Sequence, residues 1–253
     1  MTHKIKFIAR DRRARELLIP PIPAASYVPD WWIEAPQFEA IPGVSTETKR
    51  SFFGKAANHS FKKCVPMHDA LTTGYLVQLW ADVWVNEGMN PEFEKEPSWK
   101  TYTADVMEGV PGDLAIFQPH GPSANAMARP EEMAKGVHKF QTLMYIETPP
   151  GYSVLVTQPL GYRNLPFQAI PAVIDSDTKG IELLFPMWIR KDFTGLVERG
   201  TPVAQVIPFK REDWKMEFDH LPDGEFEHRD DLAGGLHIVN NYAKRQWQRK
   251  SYK

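Results

Sequence analysis

Proline constrains this chain more than any other residue type. It occupies 22 of 253 positions, well above the usual ~5%. Each proline removes a backbone donor and fixes φ, so it disturbs a helix interior or a central strand. Long helices are therefore disfavoured, and a mainly β chain with many loops is expected. Five prolines fall between Leu18 and Gln37. That run, within residues 1–40, is expected to form an extended arm. Tyr27, Trp31, Trp32 and Ile33 are too apolar for a loose linker and should pin it to a groove, on this subunit or another.

The strongest alternation in the chain runs from Tyr75 to Val85. Tyr75, Val77, Leu79, Ala81, Val83 and Val85 fall on one side at period two, with Gln78, Trp80, Asp82, Trp84 and Asn86 on the other. The spacing predicts one long strand with one buried face. Residues 86–137 follow as a loop-rich insertion, in which 130–137, with Pro130 leading, has room for one or two helical turns. A second β block holds apolar runs at 143–147, 152–158, 172–175, 181–189 and 203–209. Turn residues separate them at short intervals, including Thr148-Pro149-Pro150-Gly151. Such spacing suits a sandwich or barrel, not βαβ units. One β-rich domain over 1–253 is expected. Its sheets come from 61–85 and 140–210, and a short basic helix lies within the tail, 232–253.

The single cysteine, Cys64, leaves no internal disulfide and no cysteine metal cluster, and points to a reducing compartment. There is no apolar run long enough for a transmembrane helix and no apolar segment of the secretory kind at the start. Net charge is −2 but unevenly placed. Residues 1–15 carry +5 and residues 232–253 carry +5, so the body between is acidic. Two readings stay open: the basic ends dock on the acidic body of this or a neighbouring subunit, or they bind a polyanion.

Several chemical signatures fail. Gly195 to Thr201 has the glycines of a phosphate loop but no lysine where one is needed. Asp175 to Pro186 begins like a calcium loop, yet puts Lys179 at the fifth position and Pro186 at the twelfth. Neither a His-Glu-x-x-His run nor a Gly-x-Ser-x-Gly elbow occurs, and no metal site is expected.

Residues 159–209 carry the most informative pattern. Ala172-Val-Ile-Asp175-Ser-Asp177-Thr-Lys-Gly180 is followed by the strand Ile181 to Phe185. Then comes Arg199-Gly200-Thr201-Pro202-Val203-Ala204-Gln205-Val206-Ile207. This segment resembles the dUTPase and dCTP deaminase family, whose fold is a β-clip. The resemblance implies a β-clip sandwich or barrel with the twin aspartates at a hairpin corner. It puts Asp175 where the family holds the carboxylate that orients the attacking water. Asp177, Thr178, Arg163 and Gln205 would be the nucleotide-binding residues. The departures are specific. Thr178 replaces the tyrosine that stacks on deoxyribose. Pro159-Leu160-Gly161-Tyr162-Arg163 stands where the family has its phosphate-gripping Arg-Ser-Gly. The Gly-rich closing motif is replaced by Lys244-Arg245-Gln-Trp247-Gln-Arg249-Lys250.

Cleaving a nucleoside triphosphate needs an oriented water, neutralised phosphates and several cationic donors. Two carboxylates at a turn do not make that set, and such aspartates also cap turns through their own backbone. A second resemblance covers most of the chain. It rests on Lys63-Cys64-Val-Pro66-Met-His68-Asp69-Ala-Leu-Thr-Thr-Gly74-Tyr75, Thr148 to Ser153, Ala204 to Arg211, Trp247 to Lys250, and Pro29-Asp30-Trp31-Trp32. These are similar to a family of proteins encoded by tailed phages, which brings no assigned activity. It implies a product found in the host bacterial cytoplasm or in the virion.

The expectation is a non-catalytic β-clip protein that works by homo-oligomeric assembly, as a virion component or a host-factor binder. The resemblance favours a trimer, with other virion proteins as further partners, no membrane, and no cofactor. The alternative is a divergent nucleotide diphosphohydrolase, with Mg²⁺ held by the substrate phosphates, or a protein that binds a nucleotide without turnover.

Overall fold

A computed structural model describes residues 3–39, 58–86, 98–101, 116–121, 124, 126–178, 180–222, 224–225 and 246–253. The chain divides into two compact units, one of residues 1–24 and 74–211, the other of 25–73 and 212–253.

The first unit is built from antiparallel sheets. Its strands are β1 (Lys6–Ala9), β2 (Ile22–Pro23), β5 (Tyr75–Gln78), β6 (Val83–Asn86), β7 (Ser98–Thr101), β8 (Phe117–Pro119), β9 (His138–Glu147), β10 (Tyr152–Thr157), β11 (Phe167–Ala169), β12 (Ala172–Asp175), β13 (Ile181–Ile189), β14 (Gly195–Val197) and β15 (Pro202–Lys210). A helix, α1 (Arg12–Leu17), follows β1, capped by the Asp11 carboxylate, which accepts the Ala14 N–H at 2.7 Å. One five-stranded sheet runs β1-β9-β13-β11, with β8 also on β9. A second runs β12-β10-β15-β5-β2, and a third is β14-β6-β7. Among the described residues no sheet closes into a barrel. The two large sheets share one apolar core. Phe140, Ile146, Leu183, Phe185 and Met187 come from the first, and Val77, Val154, Val156, Val203 and Val206 from the second. All ten are buried: alternate residues point the same way in most of these strands, and β15, irregular in register between Pro202 and Ala204, is buried continuously over 202–206.

Strands β12 and β13 begin and end where the sequence pattern puts them, at 172–175 and 181–189. Their placement differs from expectation. β12 pairs with β10 in one sheet, and β13 pairs with β9 in the other. The twin-aspartate turn is thus a crossing between sheets, not a hairpin corner. The Thr148–Gly151 turn makes the same crossing from β9 to β10.

The long strand predicted over 75–85 is two strands. β5 joins the second sheet and β6 the third. Two backbone bonds hold the chain at the break: Leu79 N–H to Thr201 O and Gly200 N–H to Leu79 O, each 2.8 Å. The Asp82 carboxylate accepts the Arg199 N–H at 2.6 Å. Alternation survives at Val83 and Val85. At the break both Leu79 and Trp80 are buried, and the Trp80 indole N–H donates to Gln141 O at 2.7 Å. Residues 130–137 form a turn rather than a helix. Ala134 N–H bonds Ile189 O at 2.7 Å and Lys191 N–H bonds Glu132 O at 3.0 Å, so the end of β13 holds the segment.

The second unit has two short helices, α2 (Asp30–Glu34) and α3 (Val65–Thr72), and the pair β3 (Phe38–Glu39) with β4 (Asn58–His59). The proline-rich run is therefore not uniformly extended. Its prolines bracket α2 instead of interrupting it. Pro29 precedes the first turn, Asp30 favours the positive helix start, and Ala35 leaves helical geometry before Pro36. Trp31 and Trp32 pack on Phe61 of their own chain, with ring centroids 5.7 and 5.8 Å apart. Lys62 Nζ donates to Ile33 O and to Ala35 O at 3.0 Å in the latter case.

Part of the basic tail docks on its own chain. Asp69 of α3 accepts the Trp247 indole N–H at 2.8 Å and Lys250 Nζ at 2.6 Å. Thr73 donates to the Tyr252 hydroxyl at 2.7 Å. Burial pushes the Asp69 carboxyl up, but the Lys250 and Trp247 bonds outweigh it and hold it below the usual range. The described tail residues, 246–253, hold no helix. Most of the segment in which a tail helix is expected, like residues 87–97 and 102–115 of the 86–137 insertion, lies outside the described residues.

Candidate functional site

The corner after β12 is assembled by register. Ser153 stands opposite Asp175, and Tyr152 opposite Lys210, so the start of β10, the end of β12 and the end of β15 meet. The crossing turn is locked from below. Ser176 and Thr148 are buried, and their hydroxyls lie 2.8 Å apart. Thr148 donates its hydroxyl hydrogen to Tyr152 O at 3.0 Å, so Ser176 is the donor between the two.

Arg211, one residue past β15, closes the corner. Its Nη1 donates to Asp177 Oδ1, Ser153 Oγ and Tyr152 O at 3.0, 3.0 and 3.1 Å. Nη2 donates to Asp177 Oδ2, which makes the pair bidentate. Asp175 Oδ1 stands 3.4 Å from the same Nη1 and accepts the Ser153 hydroxyl at 2.6 Å. Asp177 also accepts the Gly151 N–H at 2.8 Å.

The two carboxylates differ sharply. The Asp177 side chain is 9% exposed, and that of Asp175 is 70% exposed. The Arg211 guanidinium, then the Gly151 N–H, lowers the Asp177 carboxyl to about 2. Asp177 in turn holds Arg211 firmly protonated. Asp177 is thus a structural anion at neutral pH, fully engaged by its own chain. Asp175 keeps one oxygen toward solvent, which suits a weak surface acceptor.

The five residues singled out from sequence do not gather at one place. Asp175 and Asp177 meet at this corner, and Thr178 is exposed on the adjoining turn. Gln205 lies opposite Thr157, at the other end of β10. That end lies four residue steps along the strand from Ser153, about 14 Å. There the buried Gln205 Oε1 accepts the Leu160 N–H at 2.8 Å. Gln158 accepts the Ala169 N–H at 2.7 Å, so two amides hold the 159–166 loop. Arg163 is exposed on that loop, away from the aspartates along the chain path. Among the described residues no group of three or more His, Cys, Asp or Glu side chains converges.

Sequence reasoning missed Arg211 and Ser153 as members of this corner. Both lie in runs that carry the second resemblance, but neither has a local pattern that announces a partner 34 or 22 residues away. No family model matches the chain, and no curated protein matches it.

Proposed function

We propose that this is a non-catalytic β-clip protein of the tailed-phage kind, which acts by assembling with copies of itself, as a virion component or as a platform for a host factor. One observation carries the reading. Trp214, Met216 and Phe218 follow β15 and are 87%, 83% and 96% exposed. Three large apolar side chains in one exposed run are a liability for a monomer and an asset for an interface. A trimer is the assembly the β-clip resemblance favours.

The twin-aspartate corner supports the non-catalytic part. Arg211, the guanidinium at the corner, is held in a bidentate pair by Asp177 and so is spent on an internal anion. A nucleotide diphosphohydrolase would have to break that pair to grip phosphate.

Two measurements test the proposal together. Mass in solution should exceed that of one chain. A thermal-shift panel of ribo- and deoxynucleotides with Mg²⁺ should be flat, whereas a ligand at 100 times its Kd adds about 2.7 kcal/mol. A monomer at high concentration would remove the assembly reading. Pyrophosphate release, abolished by Asp175→Asn, would replace it with the hydrolase reading. A shift without turnover would replace it with nucleotide binding alone.

A further inference from the structure

Residues 211–220 are exposed throughout and belong to no helix or paired strand. Their sequence alternates. Trp214, Met216 and Phe218 are apolar, while Asp213, Lys215, Glu217 and Asp219 between them are charged. In an extended chain that pattern puts all three apolar groups on one face and all four charges on the other. It is the pattern of a strand without a sheet.

A sheet edge of matching character exists. β1 is the outer strand of its sheet, and among the described residues nothing pairs with its far side. Arg10 N–H bonds Leu143 O at 2.8 Å, so Lys6, Ile8 and Arg10 direct their backbone groups toward β9. By the period of two, Ile5, Phe7 and Ala9 direct N–H and C=O toward the open side. Those three also pack on the core, while Lys6 and Ile8 face solvent.

We propose that residues 213–219 of one copy add to the open edge of β1 in a second copy as an antiparallel strand. The register follows from chemistry. Setting Trp214 opposite Ala9, Met216 opposite Phe7 and Phe218 opposite Ile5 extends the core face with apolar groups. The other face then pairs Asp213 with Arg10, Glu217 with Lys6 and Asp219 with Lys4, and leaves Lys215 beside Ile8. Three opposite-charge pairs form and no like-charge pair does. A shift of two residues in either direction brings Lys215 against Lys6 or Arg10. The lysines of β1 thus deter unselective edge pairing while admitting an acidic strand.

The receiving edge belongs to another copy because of where the segment starts. Arg211 bonds Gly151 O and Tyr152 O, and the Tyr152 ring lies 4.8 Å from the His3 ring. The segment therefore leaves its own chain near the His3 end of β1. The proposed register starts at Arg10, seven residues along, about 23 Å away. Starting level with His3, a chain's own segment would run parallel to β1 and set Lys215 beside Phe7 on the core face, with Trp214 and Met216 on the solvent face beside Lys6 and Ile8. Each copy gives one strand and receives one, and a closed ring of two or three copies satisfies every edge.

This inference rests on the assembly reading and names the contact that makes it. The test is sedimentation of the full chain, with circular dichroism to confirm folding. Glu217→Lys with Asp219→Lys should weaken self-association at least about tenfold and leave the fold intact, since both residues are exposed. Trp214→Ser with Met216→Ser and Phe218→Ser should do the same. A Lys4→Glu, Lys6→Glu chain should self-associate weakly and pair with the Glu217→Lys, Asp219→Lys chain on mixing. Wild-type chain that assembles, with variants of unchanged mass and affinity, overturns this contact while leaving assembly through another surface. Wild-type chain that stays monomeric overturns both.

Discussion

Gly74 joins α3 to β5 at φ +70, and an added Cβ would stand 2.2 Å from Val206 O, 3.0 Å from Val206 C and 3.1 Å from Ile207 Cα. All three atoms are backbone atoms of β15, the central strand of its sheet. Neither side can yield cheaply. β15 is bonded to β10 and β5, and the Gly74 carbonyl accepts the Ala24 N–H at 3.0 Å. Gly74→Ala should therefore incur two costs. The left-handed backbone costs about 1–2 kcal/mol for a residue with a Cβ. Forcing a methyl into a filled space costs a further ~1–3 kcal/mol. The sum, about 2–5 kcal/mol, corresponds to a fall in Tm on the order of 5–15 °C for a chain of this size. Gly151 is the control. Its φ is +83 but nothing lies within 4 Å of an added Cβ. Gly151→Ala should show the backbone cost alone, about 1–2 kcal/mol. Urea unfolding followed by tryptophan fluorescence and by far-ultraviolet dichroism measures both. Equal losses at the two sites would refute the close approach to β15, and no loss at either would refute the backbone geometry.

Three further outcomes follow from other parts of the molecule. Trp80→Phe keeps most of the buried volume but leaves the Gln141 carbonyl without its indole donor. A loss of about 1–3 kcal/mol in urea is expected, and a change under ~0.5 kcal/mol would show that bond to be idle. Burial lowers His138 from 6.5 to about 4, so the unfolded chain takes up that proton first. Stability should fall as pH drops from about 6.5 toward 4, by a few kcal/mol at most, and His138→Gln should flatten the slope in thermal melts across that range. Asp177 has the usual carboxylate sign. Its contribution is complete above the unfolded value of 3.8 and is lost as pH falls through about 2. Melts of wild-type and Asp177→Asn chains should differ most at neutral pH and converge toward pH 2. A constant gap would show that the charge is irrelevant.

Much of the strand content is legible in the sequence. The runs at 172–175, 181–189 and 203–209 are bounded by turn residues and filled with β-formers. Burial alternates along β12 and the first part of β13, while the central strand β15 is a short continuous apolar run buried on both faces at its start. The edge character of β1 is legible too, from the alternation of lysine with bulk in Lys4 to Ile8. The lesson of Tyr75–Val85 runs the other way. Its period continues across a corner where the chain changes sheets, since alternation reports burial and not which sheet supplies it. The proline run hid α2 for a related reason: prolines placed just outside a helix delimit it as well as they would break it.

The sequence alone determined that this is a mainly β chain, that its strands are bounded by turn residues, and that charged and apolar groups alternate from Asp213 to Asp219. Only tertiary structure decided that β12 and β13, separated by five residues ending in Gly180, belong to different sheets. It also decided that Asp177 is neutralised by Arg211 while Gln205 and Arg163 sit toward the far end of β10. Local pattern sets which way a side chain faces, and partners come from register between strands distant in sequence. The bidentate geometry at the corner depends on that register, and a shift of one residue would turn each of these groups to the opposite face.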